Sequence, residues 1–394
     1  MKNHATVRFR TGGPTHSDQS RFARMLRSAK RLEPTASRAN NGAAMPTSTT
    51  EFRGRKAVSI ENAAVRVTVL TEGGHIAEVL HKEAGINPLW VPHWESIEPS
   101  QYDARHYPEY GNGVDARLLA GIMGHNVCLD IFGGPSTEEA AAGLTPHGEA
   151  AVAAYDIDAD AAQLTMCAAL PLAQLRFERR LALRDAGVRI REKVENLGAC
   201  DRPIGWTQHV TLGPPFLEKG VTEFRVSATR SKVLESQFGI ADYLTPAAEF
   251  DWPHAPRTDG GFADLRRYTD LAVSSAYTAH LMDPAREHGF FAAFAPSARL
   301  AFGYIWKRSD FPWMGIWEEN HSRAASPWNG VTLTRGMEFG VSPMPESRRE
   351  MIDRGRLFGT PTYRWIPARG TLEAEYWIVI RQASDAPDSL EWPG

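Results

Sequence analysis

The chain has 394 residues and a net charge of −3, from 44 basic and 47 acidic side chains. A balance this close excludes nucleic acid as the default partner, because phosphate binding needs a cationic face. Apolar residues make up 42%, which is ordinary for a globular protein, and no unbroken apolar run approaches the ~18 residues of a membrane span.

The first 44 residues stand apart. They hold nine Lys or Arg and two acidic residues, so this segment carries +7 and the remainder −10. It is poor in branched apolar residues and cannot bury enough surface to offset its ordering entropy. The expectation is a disordered tail or an over-extended start, with Met45 as the true beginning and residues 45–394 as one domain. From Glu51 onward the dominant pattern is period two, the mark of half-buried strands. Val65, Val67 and Val69 alternate with Arg66 and Thr68. Val188, Ile190 and Val194 alternate with charged residues, Phe224, Val226 and Ala228 share a face, and so do Leu372, Ala374, Tyr376, Ile378 and Ile380. Gly- and Pro-rich breaks separate these runs. Helical signals are few: Thr137 to Gly143, and Ser347-Arg348-Arg349-Glu350, a capping box that Gly355 can close. Without βα alternation, the predicted fold is all-β, a large antiparallel β-sandwich with few short helices.

The three cysteines, Cys128, Cys167 and Cys200, form no CxxC pair, so no disulfide framework or zinc ribbon is written. Reduced thiols fit a cytoplasmic protein. The eleven tryptophans read either as large core side chains or, in part, as the wall of a pocket for a flat amphipathic ligand such as a sugar.

Three segments offer chemistry. In Leu144-Thr145-Pro146-His147-Gly148-Glu149, Pro146 and Gly148 present His147 at a loop or strand edge; the plainer reading is a surface histidine. In Trp206 to Leu212, alternation puts His209 with Thr207 and Thr211 on the more polar face, either facing a pocket or simply hydrogen-bonded within the strand. In Phe311 to Pro345, Trp313, Trp317 and Trp328 accompany Glu318, Glu319 and Glu338. Glu338 sits between Met337 and Phe339. A carboxylate in apolar company has a raised pKa and is costly unless it is used or paired, and Arg335 is a ready structural partner.

The ordered set of His147-Gly148, the strand histidine His209, Phe311-Pro312-Trp313-Met314-Gly315-Ile316-Trp317 and the late Glu338, with the opening Gly73-Gly74-His75 turn, resembles the aldose 1-epimerase (galactose mutarotase-like) superfamily over roughly residues 55–385. That resemblance implies a large β-sandwich binding a small sugar or sugar derivative on a concave sheet face, and cofactor- and metal-free interconversion of anomers. It implies Glu338 as base, His209 as acid at the ring oxygen and His147 as a second donor. Groups titrating near neutrality suit such reversible transfers. The sugar would stack on Trp317, Trp313 or Trp328, with Trp317 favoured for its place before Glu318-Glu319. Asp251 and Arg308 are candidates for the polar sugar contacts, Arg117 and Arg176 being alternatives to the latter. Residues 115–143 are an insert outside the resemblance. Two other readings stay open: a carbohydrate-binding sandwich without turnover, alone or as accessory to a glycan-degrading enzyme, and, less well supported, a metal hydrolase using His81, His93, His106 and His125, which lack ligand spacing.

Overall fold

Alternating residues form strands where the period predicts them. Val65–Leu70 buries Val65, Val67 and Val69, and Thr371–Gln382 buries Ala374, Tyr376, Ile378 and Ile380. The apolar stretch Phe290 to Trp306 is a hairpin of His288–Ala295 and Leu300–Lys307, turned by the Pro296–Ala298 helical turn. The computed structural model describes residues 49–185 and 187–393, within the unit Ala44–Gly394. The expectation for residues 1–44 falls outside the described residues.

Among the described residues, two large antiparallel sheets face each other. The first has 12 strands. Its centre runs, in spatial order, His125–Asp130, Arg202–Leu212, Leu333–Gly340, Trp313–Asn320 and Ser274–Met282. The second has eight strands, with Leu300–Lys307, Thr371–Gln382, Gly187–Asn196 and Leu175–Arg184 at its centre. Apolar side chains from both inner faces, among them Phe177, Val194, Val210, Met337, Phe339 and Ile378, fuse into one core. Aligned sandwiches bury their sheets in this way. No helix among the described residues is long and apolar enough to cross a membrane.

The predicted helices form with their caps. Ser136 and Ser347 each accept from the backbone N–H three residues on, and Glu139 and Glu350 complete reciprocal boxes at Thr137–Ala141 and Arg348–Arg354. The second helix is pinned to the sheet, because Arg348 and Arg202 both reach Asp130 at 2.6 Å. The segment 115–143, read as an insert, is instead integral: after the Ala116–Gly121 helix it supplies the His125–Asp130 strand at the heart of the first sheet.

One polar cluster interrupts the core directly behind the Arg202–Leu212 strand. Arg179 and Glu192 pair at 2.7 Å with both side chains wholly buried. Gln208, on the apolar face of its strand by alternation, donates to Glu192 (2.6 Å) and accepts from Arg179 (3.0 Å) and from His125 (3.0 Å). The Tyr376 hydroxyl and the Trp206 indole N–H also donate to Glu192. A buried ion pair is tolerable only when its remaining valences are filled in this manner.

Candidate functional site

Register builds the site. Asn126, His209 and Glu338 are direct cross-strand partners on three neighbouring strands, and Gly315 continues the same row. Side chains along such a row share a face. Met337 and Phe339 flank Glu338 in sequence and point into the inter-sheet core. Glu338 therefore projects from the opposite face, beside Trp317 and away from Arg335. Arg335 faces the core instead, 3.7 Å from Glu318 and over the Phe224 ring. The plain alternative for Glu338, a structural pair with Arg335, is not what the fold contains.

Small residues hollow out the floor. A Cβ on Gly336 would overlap the Glu338 carboxyl, and one on Gly315 would overlap the Tyr277 hydroxyl. The result is a cleft of about 540 Å³ lined by His147, His209, Glu338, Trp317, Trp328 and Tyr277, among others. That size lies within the range of ligand pockets, roughly 300–1,000 Å³. A larger depression of about 730 Å³ lies against the outer face of the second sheet, but charged groups line it. They neutralise one another, as in Arg191–Glu375 and Arg180–Glu178, and no convergent set faces an apolar wall there.

His209 Nε2 lies 3.1 Å from Glu338 Oε1, with the two side chains 6% and 2% exposed. The contact is close but not aligned as a hydrogen bond, so Glu338 Oε1 keeps its capacity free. The other His209 nitrogen, Nδ1, meets the Thr211 hydroxyl at 3.1 Å. His147 enters from the loop above. Its ring centroid stands 4.7 Å from that of His209, and its Nδ1–H donates to Asn126 Oδ1 at 3.2 Å, which leaves Nε2 for a ligand. The backbone of His147 is left-handed, φ +67°, followed by Gly148 at +76°. A non-glycine residue held there stores strain that the surroundings must impose, a frequent mark of a functional position. Here the His147 carbonyl accepts from Leu129 N–H, and Gly148 lies so close to Leu129 that a Cβ would overlap its carbonyl oxygen.

Burial sets the protonation states. Glu338 is pushed up to about 8, because no partner compensates the desolvation of its charge. His147 is lowered to about 4 by the same cause. Burial first, and then the neighbouring His147, hold His209 well below its ordinary value. Near neutral pH the pocket thus contains a carboxylic acid beside neutral imidazoles.

Five of the eight expected residues converge here: His147, His209, Glu338, Trp317 and Trp328. Three do not. Trp313 lies on the same sheet face but is fully buried, with its indole N–H given to the Pro361 carbonyl at 2.7 Å. Asp251 is exposed on Glu249–Asp251, the far edge strand of the first sheet. Arg308 follows the Leu300–Lys307 strand of the second sheet and donates to the Arg286 carbonyl. Of the four histidines considered for a metal, His125 belongs to the core network. His93 and His106 are exposed, and no group of three or more candidate ligands forms among the described residues. Sequence reasoning missed Asn126, placed in a supposed insert, and Arg323, whose guanidinium lies 4.6 Å over the Trp328 ring. The only sequence signal for Arg323 is its place after the Trp317-Glu318-Glu319 run.

No protein-family model and no curated protein matches the sequence. Solved structures do. A candidate aldose 1-epimerase from Klebsiella pneumoniae superposes with a TM-score of 0.59 at 13% identity, over 84% of this chain and 80% of that one. A galactose mutarotase-like protein from Clostridium acetobutylicum gives 0.55 at 11%, over 86% and 99%. A galactose mutarotase related enzyme from Lactobacillus acidophilus gives 0.53 at 12%, over 84% and 99%. At such identities the likeness speaks for architecture: the chain has the β-sandwich fold of the galactose mutarotase-like proteins.

Proposed function

We propose that this protein is a carbohydrate epimerase that interconverts the anomers of a reducing sugar. The observation that supports this most is the Glu338–His209 pair, 3.1 Å apart on the floor of a cleft that also holds His147, Trp317 and Trp328. Anomer exchange needs a base for the anomeric hydroxyl and an acid for the ring oxygen. The proton leaves the hydroxyl oxygen, the C1–O bond of the ring breaks with its electron pair moving to the ring oxygen, and that oxygen takes a proton. The open aldehyde turns about C1–C2 and closes by the reverse transfers. In the ligand-free cleft the mobile proton resides on Glu338. Transfer of that proton to His209, once the 3.1 Å contact realigns as a hydrogen bond on ligand binding, makes a carboxylate base and an imidazolium acid together. His147, its Nδ1–H held by Asn126, presents an unprotonated Nε2 that accepts from the anomeric hydroxyl, and Trp317 and Trp328, with Arg323 over them, wall the cleft against the apolar parts of a pyranose.

Polarimetry on freshly dissolved single anomers tests the reading. Glu338→Gln keeps shape and hydrogen bonding, so sugar binding is retained while exchange falls at least ~100-fold. His209→Asn behaves alike, and His147→Asn loses less. Binding with no acceleration of exchange in the wild-type protein would instead identify a carbohydrate-binding sandwich without turnover.

A further inference from the structure

Anomer exchange by Glu338 and His209 makes a demand on the far side of the imidazole. The ring must take up a proton at Nε2 and return it, so Nδ1 must keep its own hydrogen and the ring must not swivel. Nδ1 stands 3.1 Å from the Thr211 hydroxyl. Thr211 follows His209 by two residues in the Arg202–Leu212 strand, so both side chains leave the same face. It is 2% exposed, and His209 is its sole side-chain partner among the described residues. Its backbone is held on both sides: the N–H donates to the Gly124 carbonyl at 3.0 Å, and the carbonyl accepts from Trp90 N–H at 2.8 Å. Directly across the strand pair stands Gly336, which has no side chain to compete for the hydroxyl.

The two contacts of the ring are unequal. Nδ1 and the hydroxyl are aligned for a hydrogen bond, whereas Nε2 and Glu338 Oε1, also 3.1 Å apart, are not. A neutral imidazole has a single N–H to place. On Nδ1 it finds an aligned acceptor; on Nε2 it finds none among the described residues. The chemistry of the partner matters as well. A carboxylate at Nδ1 would orient the ring and also stabilise its charged form. A hydroxyl orients it without adding charge, so the resting proton stays on Glu338 and reaches His209 only during exchange.

We propose that Thr211 is the positioning residue for His209: its hydroxyl accepts from Nδ1–H, fixes that tautomer, and leaves Nε2 bare toward Glu338 and the ligand. As a role in exchange this rests on the epimerase reading of the cleft, while the tautomer is open to measurement without any sugar. The reverse arrangement, in which the Thr211 O–H donates to a bare Nδ1, would put the ring hydrogen on Nε2 and bar His209 from receiving the Glu338 proton there.

Long-range nitrogen–proton NMR correlation on the full chain, with its histidine rings labelled with nitrogen-15, reads the tautomer near neutral pH; the His209 signals are those lost in His209→Asn. In the wild type the ring hydrogen sits on Nδ1. Thr211→Ser keeps it there, and Thr211→Val, which cannot accept, moves it to Nε2. In polarimetry with glucose and galactose, Thr211→Val lowers kcat at least about tenfold with KM little changed, and Thr211→Ser retains most of the rate. A threonine that only filled space would leave both the tautomer and kcat unmoved in Thr211→Val, and that result overturns the proposal. An Nε2–H ring in the wild type overturns it as well, with no variant needed, so the test survives a Thr211→Val chain that fails to fold. If exchange is accelerated and the wild-type ring carries Nε2–H, the role of Thr211 falls and the epimerase reading stands. If the wild type accelerates no exchange, the epimerase reading falls and takes the positioning role with it, whatever the tautomer.

Discussion

Replacing Glu338 by Gln changes the pH dependence of stability in a way that only a buried, uncompensated carboxyl produces. The folded state raises this group from its ordinary 4.5 to about 8. A raised value means that its protonated form fits the fold. The stability it permits is present in full below the unfolded value and is lost as pH rises through the folded one. Integrating between those two values gives a cost of about 1 kcal/mol at pH 5 and about 4 kcal/mol at pH 8. Glutamine has the same shape and no charge to lose. The stability of Glu338→Gln relative to wild type therefore grows by about 3 kcal/mol from pH 5 to pH 8. The depressed histidines, such as His147 at about 4, act with the opposite sign. Their contribution is lost as pH falls from the ordinary imidazole value through the folded one, but it is common to both proteins and cancels in the difference. Urea denaturation followed by tryptophan emission at the two pH values measures the effect. Wild-type and variant midpoints that move in parallel would show that Glu338 ionises freely in the fold, and the proton inventory assigned to the pair would be wrong.

Other changes probe the same architecture. Gly336→Ala places a methyl on the Glu338 carboxyl, so anomer exchange drops at least about tenfold; a full-rate variant would mean that the carboxyl need not sit there. Glu192→Gln leaves Arg179 charged and unpaired in the core and lowers stability by roughly 3–5 kcal/mol in urea titrations. Saturation with a bound sugar alters tryptophan emission through Trp317 and Trp328, and Trp317→Ala removes most of that change together with affinity. An unaltered spectrum on binding would move the ligand off this wall.

Much of this was legible because period two is a strong signal. Alternation in Trp206 to Leu212 places His209 apart from Trp206 and Val210, and alternation around Glu338 sets it against Met337 and Phe339. What alternation cannot supply is register. That Glu338 faces His209 depends on a pairing between segments more than a hundred residues apart, and that Arg335 faces Glu318 on the other side of the sheet depends on the register of the hairpin that joins their two strands. For the same reason Asp251 and Arg308, polar residues near aromatic company, looked suited to sugar contacts yet lie on an edge strand and on the second sheet. Asn126 was hidden because a short strand flanked by loops and a helix reads as an insertion. Alternation puts Gln208 on the face of Trp206, Val210 and Leu212, where it lies, but cannot name its partners, which come from four other strands.

The cluster around Gln208 also bears on how the chain avoids building the wrong molecule. Adjacent positions 208 and 209 send their side chains to opposite faces, so sliding this strand by one residue would put a neighbour of each in its place. In one direction His209 would arrive where Arg179 and Glu192 hold the Gln208 amide, and Val210 would enter the cleft; in the other Thr207 would enter the core network, and the cleft would receive the Gln208 amide in place of its titrating ring. Hydrophobic neighbours such as Trp206 and Val210 already resist that slip, but apolar contacts are forgiving of shape. A buried guanidinium and carboxylate that need one particular partner are not. The alignment error that would disarm the site is therefore the one that the core itself penalises.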